Sequence, residues 1–230
     1  VAGGFVVSLH RHIEIGPLPT APMLHYFYLL RRSWLNETAR PALSKSWRQR
    51  SFGPCLPLCH HLAATRPVPE NAVVRAVLAG AGYDRTLWHA LIGECLIFGA
   101  DALPRIPCMI DALACLLAPH RLGADLVDHA AFTPIEQIYY GSRDLRFAGG
   151  WQRPDHVGWN DADDIARLTS YLLAIDSEKW SAEALTPLTV LPNAAEREEE
   201  LAYVRDWWPP LVEMYAQAQA AGQIIVAERP

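Results

Sequence analysis

Residues 24–30 read LHYFYLL, apolar at nearly every position, so both alternating faces of the run are oily. A strand, whose side chains alternate between faces, hides such a run only when it is covered on two sides. The start of a helix is the competing reading; the aromatic content favours the strand. At the far end, Gln223–Ala227 (QIIVA) is a second short apolar run. It is entered through Gly222, the residue type that closes a helix in left-handed backbone. Terminal strands of this kind commonly meet in one small sheet covered by helices. The expected fold class is therefore α+β, mainly helical, with strands near 24–30 and 223–227.

Between those strands the helical period dominates. Ser33–Arg50 reads as two short helices around Pro41, followed by a turn-rich break at Phe52–Pro57. Pro69–Leu78 reads as a helix stopped by Gly80 and Gly82. Asp84 is placed to cap a helix to about Phe98, whose Leu87, Leu91, Cys95 and Phe98 share a face. Met109–Ala118, apolar almost all round, belongs in the centre of the fold. Asn160 is expected to cap a helix carrying Ile165, Leu168, Leu172 and Ile175, with Asp161, Asp163 and Asp164 in its acidic first turn. Ser177 and Ser181 offer caps around Trp180. In Glu196–Ala221 the residues Leu201, Val204, Trp208, Leu211, Tyr215 and Ala218 keep one helical stripe. Pro209-Pro210 within it predicts a kink or a break with that register retained.

Composition narrows the function classes. The chain has 230 residues, 51% hydrophobic and 20% charged, enough to bury a full core. Residues 1–22 lack periodicity and precede Met23, the first methionine, so they are expected to be a non-core extension to one α+β domain over 23–230. A net charge of -5 argues against nucleic acid as a partner. The basic set Arg31, Arg32, Arg40, Lys45, Arg48 and Arg50 reads as an exposed helix face. No window holds the roughly 18 apolar residues of a membrane helix. Five scattered cysteines form no disulfide framework, which points to a reducing cytoplasm.

The chemistry concentrates in one loop. Around Gly149-Gly150 and Pro154 lie Arg143, Asp144, Arg146, Trp151, Arg153, Asp155, His156 and Trp159. Arg143 and Arg153 could hold a phosphate or carboxylate, Trp151 and Trp159 could form flat apolar walls, and His156 with Asp144 or Asp155 could move a proton. The competing reading is a loop whose tryptophans anchor it to the core and whose ions pair with one another. Elsewhere, Cys55, Cys59, His60 and His61 cannot all face one metal ion from a helix and read as buried thiols beside unrelated imidazoles. His89 and Glu94 diverge on a helix and read as structural. The aspartates 161, 163 and 164 lack the alternating oxygens of a calcium loop. No nucleophile elbow, Walker loop, Rossmann fingerprint or zincin helix occurs, so neither metal nor cofactor is expected.

Several segments resemble the YfbM-like family, a bacterial domain of unknown function. They are Leu87-Trp88-His89-Ala90-Leu91-Ile92-Gly93, the glycine-bearing Phe147–Gly150, the helix Ala162–Ile175, and above all Trp208–Glu228, where Met214-Tyr215 and Ala218–Gly222 lead into Gln223-Ile224-Ile225-Val226. Met23–Leu30 is similar to the family's opening strand. The resemblance implies a compact α+β domain in a bacterial cytoplasm and brings no catalytic residues with it. Residues 44–119 depart from the family pattern in their prolines and cysteines, and the 143–159 loop is richer in polar aromatics. Three functions follow for comparison. The first is a non-enzymatic interaction, regulatory or immunity-type protein that meets its partner through the 143–159 loop, since Trp and Arg dominate interface anchors. The second is a small-molecule hydrolase or transferase, with Arg143 and Arg153 on an anionic substrate and His156 as acid or base. The third is a homodimer joined through exposed Trp207 and Trp208.

Overall fold

The computed structural model describes residues 24–65, 71–117, 132–147, 150–151 and 157–228. The expected extension at 1–22 lies outside them. Strand β1 (Leu24–Arg31) runs antiparallel to β8 (Gln223–Glu228), with Phe27 opposite Ala227 and Leu29 opposite Ile225. The two ends of the described chain thus pair directly, as the terminal apolar runs predict. Strand β8 also pairs with β7 (Val157–Asn160), and β7 with β4 (Arg143–Asp144). On its other side β1 carries β2 (Ala100–Ala102) and β3 (Arg105–Pro107). The result is one six-stranded antiparallel sheet, ordered β2-β1-β8-β7-β4 with β3 also on β1.

Helices cover both faces, which is why the central strands are oily on both sides. Tyr28, Leu30, Ile224 and Val226 face one core. It is built from α1 (Arg40–Gln49), α2 (Leu56–Thr65), α3 (Ala72–Leu78) and α4 (Arg85–Gly99). Phe27, Leu29, Ile225 and Ala227 face the other. That core contains α5 (Ile110–Leu117), α6 (Pro134–Tyr140), α7 (Ala162–Leu173) and α8 (Ala194–Ala220).

Local signals placed most of these helices. Asp84 caps α4 by accepting from the Leu87 amide at 2.8 Å, and Asn71 caps α3 from Val74 at 2.9 Å. Gly222 sits at φ 62, the left-handed backbone that ends α8 without a side-chain clash. Three expectations need correction. The two helices expected over 33–50 are contiguous: a π-helical turn (Trp34–Ala39) runs straight into α1, with the Arg40 amide reaching back to Leu35. The wider turn accommodates Pro41, which lacks an N–H and would crowd the carbonyl four residues earlier. Likewise α8 runs uninterrupted through Pro209-Pro210. Both prolines are exposed, while the buried stripe from Leu201 to Ala218 holds the helix on the core and keeps the expected register. Asp176, rather than Ser177, caps the short turn before Trp180; Ser181 caps the next one as expected.

Candidate functional site

The site region hangs from the edge of the sheet. Helix α6 starts with a capping box, Thr133 accepting from the Glu136 amide while Glu136 accepts from the Thr133 amide, with Pro134 in its first turn. The Thr-Pro-Ile-Glu pattern is a sequence-level start signal that could have located this helix. It ends at Gly141, φ 78, and the chain turns into β4. There α6 and β7 touch through backbone: a Cβ on Gly158 would lie 1.7 Å from the Tyr140 carbonyl oxygen. Glycine at 158 lets the end of α6 lie against the strand.

Asn160 holds this junction together and is not the helix cap that its position suggests. It is fully buried at the end of β7. Its Oδ1 accepts from the Ser142 amide at 2.8 Å and from Ser142 Oγ at 2.7 Å. Its Nδ2 donates to the Gln137 carbonyl at 2.9 Å and to the Tyr215 hydroxyl at 3.0 Å. That hydroxyl in turn donates to the Ile138 carbonyl at 3.1 Å. One side chain therefore ties α6, β4, β7 and α8. Asp161 takes the capping role, accepting from the amides of Asp163 and Asp164, and Asp164 returns the bond to the Asp161 amide at 3.2 Å. A carboxylate at this position also suits the positive end of the α7 dipole.

Arg143 on β4 lies opposite Trp159 on β7. Its Nη1 reaches Asp161 and Asp164, each at 2.6 Å, and its guanidinium carbon is 5.5 Å from the Trp159 ring centre. Asp164 further meets Arg167 at 3.4 Å, and Arg167 donates to Gln137 at 2.6 Å. Two arginines and two aspartates thus balance. Burial pushes the Asp161 carboxyl up, but the Asp164 amide, Arg143, the Asp164 side chain and the Asp163 amide together hold it below the usual carboxylate range. From the other side of the sequence, Arg40 of α1 also stands 5.5 Å from the Trp159 ring. Arg40 is half-buried, burial lowers its pKa, and its buried Nε has no acceptor among the described residues. Among the described residues Trp159 thus carries two guanidiniums, one ion-paired and one not. Arg40 appears in the sequence only as part of a basic helix face; nothing local signals that it meets residue 159.

Of the other expected site residues, Asp144 is half-buried on β4 opposite Gly158. Strand β6 (Gly150–Trp151) pairs with β5 (Arg146–Phe147), setting Arg146 opposite Trp151. A two-stranded hairpin therefore lies within the window read as loop. Arg153 and His156 lie outside the described residues.

Cys55 and Cys59 are buried while His60 and His61 are exposed, and burial pushes the two thiols up, to about 11 and about 12. Among the described residues no group of three or more His, Cys, Asp or Glu is placed to hold a metal ion. Glu94 accepts from Asn71 at 2.6 Å. Trp208 is 4% exposed and packs edge-on against Trp180 at 5.0 Å, and Trp207 is half-buried. The expectation of two exposed tryptophans for a dimer contact is thereby corrected, because the apolar stripe of α8 turns Trp208 into the core. A groove of about 260 Å³ lies at the opposite sheet edge, between β3 and α8, lined in part by Arg105, Trp207, Pro210 and Glu213.

These features define an α+β protein with an antiparallel sheet between two helical layers and an Arg-Trp-Asp cluster at its β4 edge. Among the described residues no helix is long and apolar enough to cross a membrane. No family model and no curated protein matches the chain. Among solved structures it is similar to YfbM from Escherichia coli, a protein of unknown function, at 13% identity over 90% of this chain and 99% of that one, with a TM-score of 0.49.

Proposed function

We propose that this chain acts by binding a protein partner, in a regulatory or immunity-type role, with the β4–β7 edge and the 143–159 segment as the contact. The observation that carries this reading is the stack of Arg40 and Arg143 on Trp159. Arg143 keeps 45% of its side chain exposed, yet it is held by two carboxylates and a ring. An arginine immobilised beforehand gives up less side-chain entropy on association, and Arg and Trp are the residue types most often found as interface anchors. Arg40 adds a second, half-buried guanidinium on the same ring, so two cations flank one aromatic face at this edge. Trp151, Arg153 and His156 extend the proposed surface along the sequence.

The test is affinity capture from the source organism with the wild-type chain, Arg143→Ala and Trp159→Ala side by side. A partner recovered by the wild type and reduced about tenfold or more by either variant supports the reading. Identical captured sets for all three would sink it. A small anionic ligand is the second reading, favoured by the two guanidiniums on Trp159, and it alone allows a hydrolase or transferase. Stabilisation by phosphate or citrate that disappears in Arg40→Met would favour it over a protein partner.

A further inference from the structure

A second surface, remote in sequence from the 143–159 segment, breaks two local rules of helix construction at once. Helix α1 ends at Arg50, whose φ of 50 and ψ of 44 put it in left-handed backbone. Glycine is favoured there, because a Cβ crowds the following carbonyl oxygen. Arg50 is the only non-glycine residue with positive φ among the described residues. Helix α4 begins with Arg85, a cation at the positive end of the helix dipole, where an acid would be favoured. Both exceptions meet at one ring. The Arg50 guanidinium stands 4.2 Å from the Trp47 ring centre and that of Arg85 5.5 Å from it. Arg50 also lies 5.8 Å from the Tyr83 ring and donates to its hydroxyl at 3.4 Å.

The rings beneath are fixed. Trp47 packs 4.7 Å from the fully buried Trp88, whose Nε1 donates to the Leu43 carbonyl, and Phe52 braces Tyr83 at 5.3 Å. Arg50 and Arg85 are themselves exposed, so they lie on the solvent side of this stack, with exposed Arg48 on the same helix as Trp47. Among the described residues neither Arg50 nor Arg85 has a carboxylate within ion-pair distance, although the chain carries 25 acids against 20 bases. The neighbouring Asp84 spends its carboxylate on the Leu87 amide. Where local preference is broken twice for one constellation, the constellation itself is the gain.

We infer that the Trp47–Tyr83 face, with Arg50 and Arg85 held on it, is a docking surface for an acidic segment of a partner protein. Two fixed guanidinium forks suit carboxylates a few residues apart on such a segment, each able to take a bidentate pair. Nucleic acid fits less well. Base stacking needs free aromatic faces, which here carry guanidiniums, and a phosphate backbone needs a broad basic field that a chain of net charge -5 lacks. This surface stands independently of the sheet-edge contact proposed above.

The experiment is fluorescence anisotropy of a labelled oligoglutamate peptide titrated with the full chain at low and raised salt, beside a labelled oligothymidylate of similar length. Saturable, salt-sensitive peptide binding is expected, weakened about tenfold or more by Arg50→Gly and by Arg85→Ala, and unchanged by Arg143→Ala. Arg50→Gly is chosen because glycine suits φ 50, so its melting temperature holds or rises while binding falls. Arg85→Ala, at an exposed position, serves as the second variant. Absence of saturable peptide binding, wild-type affinity in both arginine variants, or tighter binding of the oligothymidylate overturns the inference. Loss of peptide binding in Arg143→Ala with Arg50→Gly unaffected would instead assign it to the sheet edge.

Discussion

Replacing Asn160 with alanine removes four hydrogen bonds from a side chain that has no exposure to water. Not all four partners are stranded. The Gln137 carbonyl still accepts from the Gly141 amide at 2.9 Å, and the Tyr215 hydroxyl still donates to the Ile138 carbonyl at 3.1 Å. The Ser142 amide and hydroxyl lose their acceptor where α6 gives way to β4. Counting roughly 1 kcal/mol net for each of the two Ser142 bonds, whose donors are stranded, and about 1 kcal/mol more for leaving them unpaired, the loss should be about 3 kcal/mol. For a chain of this size that corresponds to a melting temperature lower by about 6–12 °C. Urea unfolding followed by circular dichroism measures it directly, with an unchanged slope showing that the unfolded state is not involved. Tyr215→Phe alone should cost about 1 kcal/mol, and the double variant should fall short of the sum, because the two side chains share a bond. A loss under about 1 kcal/mol in Asn160→Ala, or strict additivity in the double variant, would refute the view that this side chain locks the edge strands to α8.

Asp161 has a folded pKa below its unfolded value, so its contribution to stability is present above the unfolded pKa of about 4 and is lost as pH falls through the folded one. Arg143→Ala should move the Asp161 titration, followed by carboxyl-carbon NMR, back toward the ordinary range and shrink that acid-linked loss. An unmoved titration would mean that Arg143 contributes nothing to Asp161. Cys55, Cys59 and Cys95 have thiols pushed up by burial, to about 11 and about 12 for the first two. In the native protein at pH 8 they should react with a disulfide reagent at least about a hundredfold more slowly than half-buried Cys108, and all should react quickly once unfolded. Rapid native labelling of Cys59 would contradict its burial.

The helix ends were the most legible features. Asp84, Gly222 and the stripe from Leu201 to Ala218 work through neighbours within one or two turns, so spacing alone reveals them. Asn160 shows the limit of that logic. Its position before an acidic first turn makes it look like a cap, but the following residue caps, while Asn160 bonds to groups 18 to 55 residues away. The Pro209-Pro210 reading held for the retained apolar register but not for a break, because burial of one helical stripe outweighed two missing backbone donors.

The sequence by itself determined the fold class, the terminal strands, most helix starts and stops, and the residue types at the sheet edge. Each of those depends on hydrophobic period, capping chemistry or glycine conformation, which are local. Tertiary structure alone decided that Arg143 spends its charge on Asp161 and Asp164 and that Arg40 and Arg143 share Trp159. It alone decided that Arg50 and Arg85 meet on Trp47. Ion pairs and ring contacts form between whichever side chains the packing of the sheet and its two helical layers brings within a few ångströms, and separation along the chain does not fix that distance.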